Sequence, residues 1–333
     1  MTAHLAAHSF GAGASLAPRA VGVARSQPKS ASAARLNAPG IGILLILAST
    51  AFFSCSDIAT KHLAGSLPAI EIAWLRYIGF CVLMVPAAIA KGPGRLLRTH
   101  RPGLQILRGL AMVLSAVLFT FSLRFLPVAE ATATNFVSPL FITALSIPLL
   151  GEKVGWRRWT AALVGLLGVL IVVRPGTSAF HPAALLPILA ALSWAGAAIL
   201  TRKLSGGDKP ATTLAYSALT GLAVLTLLVP FDWVLPDWRE LAVGALIGLV
   251  ATAGHWMIVL AYRQADASVL APFSYMQLIG SGVLAFLIFG AIPDSWTFVG
   301  AGVIIASGLY TAHRERVRSR LARSRAPGKL SGA

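Results

Sequence analysis

The chain of 333 residues is 56% hydrophobic and only 12% charged, with a mean hydropathy of +0.77 and a formal net charge of +17. Soluble domains carry about 25% charged residues, so this chain has too little polar surface to face water, and its solvent is a bilayer. The excess positive charge is not a nucleic-acid signal, because ten of the seventeen charges lie in two tails outside the hydrophobic body. Basic tails on membrane chains act as topology signals or contacts with anionic lipid. Cys55 and Cys81 sit inside apolar stretches and form neither a disulfide framework nor a zinc spacing, so no metal or cofactor is expected.

In chain order, residues 1–40 contain Arg19, Arg25, Lys29 and Arg35, no acid and no periodic apolar face. This segment is expected to be a disordered basic tail. An organelle transit peptide shares the composition, and a bacterial N-terminal tail is the preferred reading. Ten stretches then meet the requirement of about 20 mostly apolar residues for a crossing helix: 41–60, 70–90, 103–123, 128–150, 156–173, 182–201, 211–230, 239–262, 267–290 and 296–312. Residues 313–333 form a second basic tail, with seven Lys or Arg against Glu315. With the N-terminus in the cytoplasm, 22 Lys and Arg fall on the inner side and four on the outer, Arg76 and Arg108 being set aside as intramembrane. The positive-inside rule therefore puts both termini in the cytoplasm.

The chain repeats itself. The stretch from Ala129 aligns with that from Ala267 at an offset of 138, Gly151 and Trp159 with Gly290 and Phe298 at 139, and Thr60-Lys61-His62-Leu63 with Thr201-Arg202-Lys203-Leu204 at 141. Each half, 41–173 and 182–312, holds five spans. An odd number makes the second half enter the membrane from the opposite side, an inverted repeat with a substrate site expected near the midplane. The fold class is accordingly all-α integral membrane, with ten transmembrane helices in two inverted five-helix repeats. Duplication retained only for packing is the bland alternative.

Each repeat ends in Ala-x-x-(small)-x-x-x-x-(Ser/Tyr)-x-(Pro/Gln), then Gly-(Glu/Ala) and a small-residue last span. This pattern resembles the EamA repeats of the drug/metabolite transporter superfamily. Asp57-x-x-x-Lys61, Arg76, Leu107-Arg108-Gly109 and Ala271-Pro272-Phe273-Ser274-Tyr275 resemble its bacterial branch of riboflavin or S-adenosylmethionine uptake transporters. The likeness covers residues 41–312, and it implies a carrier of vitamin- or nucleoside-like solutes in the bacterial inner membrane. Ala291 departs from it, since Glu152 of the first repeat has no acidic counterpart there.

Ionisable groups at depth cost at least about 2.5–3.5 kcal/mol to insert, so each implies a partner or a function. Asp57 and Lys61 have the i,i+4 order of a helical ion pair, with a snorkelling lysine as the structural alternative. For Arg76, with Glu71 near the outer mouth of the same span, a functional role and a satisfied pair, within or between helices, are both open, and Arg108 is read as positional, on the inner side where snorkelling is easy. The fourth and ninth spans are polar for lipid-embedded helices: Thr132, Thr134, Asn135 and Ser138 are set against Ser274, Tyr275 and Gln277, with Pro139 and Pro272 freeing carbonyls. His255 lacks a second metal ligand, and Trp256, Trp194, Phe273 and Tyr275 offer stacking surfaces. The expected substrate-binding residues are Asp57, Arg76, Asn135, His255, Trp256, Ser274, Tyr275 and Gln277. Gly244 and Gly248 form a GxxxG face, as Ala161 and Gly165 do more weakly, either for close packing or for a homodimer.

The expected function is alternating-access transport of a small organic metabolite. Riboflavin comes first, because aromatic faces and amides suit a neutral flavin, and S-adenosylmethionine second, because a sulfonium wants a carboxylate such as Asp57. A lipid flippase is the different-class alternative. No zincin, triad or P-loop motif supports an enzyme.

Overall fold

The computed structural model describes residues 39–151, 155–177, 180–204, 208–264, 270 and 273–325. The expectations for residues 1–38, Glu152, Pro272 and 326–333 lie outside the described residues. The helices given in full by the described residues are, in chain order, α1 Pro39–Leu63, α2 Ala69–Lys91, the short α3 Pro93–Leu96, α4 Pro102–Ser122, α5 Val128–Asn135, α6 Ser138–Leu150, α7 Trp156–Val173, α8 Leu185–Leu204, α9 Pro210–Leu228, α10 Trp238–Gln264, α11 Met276–Phe289 and α12 Ser295–Arg325. Among the described residues there is no strand. Proline opens α4 and α9, where its missing N–H lies in a first turn that has no partner for it.

Among the described residues seven segments are long and apolar enough to cross a membrane, and three shorter apolar helices, Trp159–Val173, Met276–Phe289 and Ser295–Thr311, accompany them. They fall on the ten apolar stretches of the sequence. Large apolar side chains such as Leu44, Ile89, Leu227 and Leu287 are 68–77% exposed on the outside of the bundle. A soluble chain rarely exposes so much, and lipid is the medium in which that surface carries no penalty.

The packing partners are themselves arranged with two-fold symmetry. Along the chain α1, α2, α4, α5–α6 and α7 correspond to α8, α9, α10, α11 and α12. The contact of α1 with α10 is matched by α8 with α4, α2 with α10 by α9 with α4, and α1 with α11 by α8 with α6, while α2 with α9 and α7 with α12 are self-matching. The halves thus interleave rather than form separate bodies. The same symmetry appears in the backbone, where α6 ends at Gly151 (φ 68°) and α11 at Gly290 (φ 64°), both left-handed caps that a Cβ would strain.

Small residues bring the helices together inside one chain. A Cβ on Gly79 of α2 would lie 2.7 Å from the Cα of Gly248 of α10, and one on Gly244 would lie 2.5 Å from Leu75. Gly165 and Gly168 of α7 likewise face Ser307 and Ile304 of α12. Both small-residue faces singled out in the sequence are therefore filled within the chain, and a dimer gains no support from them.

Three charged groups depart from expectation. Lys61 forms no ion pair with Asp57; its ammonium donates to the carbonyls of Leu123 (2.6 Å) and Leu126 (3.0 Å) at the end of α4, where the helix leaves carbonyls without intrahelical partners. Arg108 does not snorkel. It is 8% exposed and donates to Thr201 Oγ1 (2.6 Å), the Thr213 carbonyl and Ser217 Oγ, bracing α4 against α8 and α9. Glu71 is buried away from Arg76, accepting the Val234 N–H at 3.2 Å.

Candidate functional site

Two helix interruptions create the site. The fourth expected span is not continuous: it breaks at Phe136–Val137, immediately before Pro139, which has no N–H to give the Asn135 carbonyl. The ninth breaks at Tyr275. The residues preceding α6 and α11, Val137 and Tyr275, share one backbone conformation, φ −68° with ψ −14° and −13°. The breaks meet in space, with the rings of Phe136 and Tyr275 5.2 Å apart. Interrupted helices are stable in a bilayer only where protein or a cavity receives the freed backbone groups. Here a cavity of about 580 Å³ adjoins them, within the range of small-molecule sites.

Seven of the eight expected site residues line this cavity: Asp57 from α1, Arg76 from α2, Asn135 at the end of α5, His255 from α10, and Ser274, Tyr275 and Gln277 around the second break. Asp57 is 7% exposed, and one of its carboxylate oxygens accepts a 3.0 Å hydrogen bond from Gln277 Nε2. Ser54, nearly one turn earlier on α1, donates to the Gln277 carbonyl at 3.1 Å and accepts from Ser281 at 3.3 Å. These bonds form a polar seam between the first repeat and the second. Asp57 also feels the charge of Arg76, although no ion pair within 4 Å joins them among the described residues. Carboxylate and guanidinium together leave the wall without net charge. Among the described residues no group of three or more His, Cys, Asp or Glu comes together to hold a metal.

Trp256 is the exception. One residue beyond His255 turns a helix by about 100°, since 3.6 residues complete a turn, and its side chain is 45% exposed and absent from the wall. Phe273 is also elsewhere, packed with Ile46, Ala261 and Leu270. Trp194 lines the cavity instead. Around His255, Phe53 stands edge-on at 4.9 Å, while Phe80 and Trp194 are stacked at 6.3 and 6.4 Å. Phe53 and Phe80 escaped the sequence reading, although each lies one turn from a charged wall residue, Asp57 and Arg76. That i,i+4 relation was the available signal. Trp256→Leu therefore leaves solute affinity for the cavity within about twofold, whereas Trp194→Leu weakens it about three- to tenfold, the worth of one aromatic contact. Binding titrations on the two variants check the difference.

Tyr275 fills the space beside Gly308. A Cβ there would fall 1.8 Å from the Tyr275 hydroxyl oxygen and 2.0 Å from Cζ. Gly308→Ala pushes the ring toward the cavity, and solute binding there is expected to weaken at least about tenfold, since overpacking costs about 1–3 kcal/mol. Because the ring carbons Cζ and Cε2 themselves lie 2.0 and 2.3 Å from the added Cβ, the double change Gly308→Ala with Tyr275→Phe stays as impaired as Gly308→Ala alone, and full recovery in a binding titration would put the collision on the hydroxyl only.

Polar contacts join the halves beyond both ends of the cavity. At the end that carries the start of α1, Asp208 accepts from Thr99 Oγ1 (2.5 Å) and Gln105 Nε2 (2.8 Å), tying the α8–α9 connection to the start of α4. The Thr99 hydroxyl and the Gln105 amide hold the Asp208 carboxyl below its usual range. Because the folded value is the lower one, this contribution is present at neutral pH and is lost as the pH falls through it. At the opposite end Arg174 pairs with Asp294.

A model of the EamA-like transporter family matches residues 40–174 and again 181–311. The chain is 31% identical over 275 residues to the S-adenosylmethionine uptake transporter of Rickettsia prowazekii (strain Madrid E), a match spanning 83% of this chain and 93% of that protein. It is 32% identical over 292 residues to the riboflavin transporter of Vibrio cholerae serotype O1, spanning 84% and 95%. The pseudopaline exporter CntI of Pseudomonas aeruginosa is 26% identical over 269 residues, spanning 80% and 94%. A protein of known crystal structure superposes with a TM-score of 0.59 at 20% identity, over 83% of this chain and 98% of that one, which is a likeness of fold.

Proposed function

The chain belongs to the EamA-like transporter family, and from that premise we propose that it carries riboflavin across the bacterial inner membrane by alternating access, both termini lying in the cytoplasm. The observation that carries the solute is the wall itself: rings from Phe53, Phe80, Trp194 and His255 border a cavity whose charges, Asp57 and Arg76, cancel. A neutral flat ring gains stacking there and leaves no charge uncompensated in low dielectric. Amides from Asn135 and Gln277 suit its polar edge. The orientation rests on the distribution of 22 Lys and Arg against four. Alternating access is supported by the interleaved inverted repeats, and by contacts between the halves at both ends that can break in turn.

A second reading, S-adenosylmethionine, draws on the Asp57 carboxylate as partner for a sulfonium or an ammonium, and on a relative so named. Uptake into proteoliposomes separates the two. Labelled riboflavin accumulates saturably and is displaced by unlabelled riboflavin. Movement of S-adenosylmethionine with none of riboflavin removes the flavin assignment. Transfer of labelled lipid between leaflets, with neither solute moving, makes the chain a flippase.

A further inference from the structure

Two polar atoms on α5, the hydroxyl oxygen of Thr132 and the amide oxygen of Asn135, are sealed from water and have no hydrogen-bond partner. They lie one turn apart on residues that both line the cavity, and Thr132 is only 2% exposed. Two other threonines on the wall are satisfied by their own helices: Thr143 donates to the Pro139 carbonyl at 2.8 Å and Thr252 to that of Gly248 at 2.7 Å. The two on α5 stand apart from them in having no such bond. A helix C-terminus adds the negative end of its dipole, and Pro139 withholds the N–H that a continuous helix would direct at Asn135. Buried polar atoms are almost always paired, and an orphan costs about 1–3 kcal/mol. Asn135 Oδ1 can only accept, so what completes it must donate, and the Thr132 hydroxyl one turn away has lone pairs for the same donor. Phe136 follows Asn135 directly and faces Tyr275, which puts flat apolar surface beside the acceptors.

We propose that the end of α5 is a ring-edge subsite, in which Asn135 Oδ1 and Thr132 Oγ1 accept a hydrogen bond from an N–H on the edge of the solute's flat ring as Phe136 and Tyr275 flank its face. This deepens the reading above and rests on it for the presence of a flat-ring solute. The recognised chemistry is a ring-edge N–H. The imide of a flavin and the amino group of an adenine both supply one, and a test must separate them.

Equilibrium binding to the full chain in lipid nanodiscs does so with two matched pairs: riboflavin against 3-methylriboflavin, and S-adenosylmethionine against its N6,N6-dimethyl analogue. Wild type binds the N–H member of one pair about tenfold or more tightly than the methylated member, the worth of one buried hydrogen bond. In Asn135→Ala the preference falls to within about twofold, because the N–H form weakens and the methylated form does not. Thr132→Val keeps the side-chain shape, and its partial loss of preference carries the test should Asn135→Ala fail to fold. A preference confined to the adenine pair keeps the subsite and removes the flavin assignment. Riboflavin binding without preference, or with a preference that both variants retain, overturns the subsite and leaves the flavin assignment standing. Binding of neither pair overturns both.

Discussion

Asp57→Ala is expected to lower uptake about ten- to a hundredfold. The carboxylate of Asp57 accepts from Gln277 Nε2 at 3.0 Å, and with Ser54 and Ser281 it forms the seam between α1 and α11. A hydrogen bond to a charged group is worth about 1.5–3 kcal/mol, and each 1.4 kcal/mol is a factor of ten. Alanine removes that bond and opens the seam between the two helices. Asp57→Asn separates charge from geometry, since the amide oxygen still accepts from Gln277. A neutral flavin is then carried within about threefold of the wild-type rate, whereas a sulfonium loses its counter-charge and its uptake falls at least about a hundredfold, the cost of unpairing a buried charge. Initial rates against solute concentration for the three proteins check both statements. Wild-type uptake by Asp57→Ala reduces the residue to packing.

Gly79→Val is expected to have the largest effect on stability. The α2 and α10 backbones touch at this point: a Cβ on Gly79 would sit 2.7 Å from Gly248 Cα and 2.9 Å from its carbonyl carbon. No side chain can move aside, because the obstacle is main chain. The helices must separate, and Arg76 and His255 are carried apart with them. Overpacking of this kind costs about 3 kcal/mol or more, and a melting temperature lower by about 4 °C or more follows for a chain of this size. Gly302→Ala on α12 meets nothing within 4 Å and serves as the control, with no change expected. Thermal unfolding of the three proteins in one detergent measures the difference, and equal midpoints for Gly79→Val and wild type would falsify the backbone contact.

The helices were legible in the sequence because hydrocarbon imposes one rule everywhere: about 20 apolar residues per crossing, every backbone group satisfied within the helix. That rule located the ten apolar stretches, and the offsets of 138 to 141 between their anchors revealed the duplication. The cavity wall was legible for a related reason. Asp57, Arg76, Asn135, His255 and Gln277 stand where lipid should have excluded them, and all five border one cavity.

Partnership was not legible. Lys61 has the right spacing for Asp57, yet it caps α4, because carbonyls at a helix end compete for an ammonium and only the fold brings Leu123 and Leu126 within reach. Glu71 and Arg76 share a helix but not a contact. Gly244 and Gly248 form a small-residue face that sequence could assign equally to a second copy or to a neighbouring helix, and the approach of Gly79 decided it. Trp256 and Trp194 are equivalent as residues of apolar helices, and only the rotation of α10 and α8 turned one outward and the other into the wall.

The sequence by itself therefore determined the medium, the helices, the duplication and the polar residues that do not belong in lipid, because each follows from the transfer of single residues or single helices between water and hydrocarbon. The tertiary structure alone decided which of those residues meet, where the two interrupted helices open a cavity, and which acceptors are left without a donor. Those outcomes depend on the rotation of each helix about its axis, which interhelical packing sets and hydropathy does not.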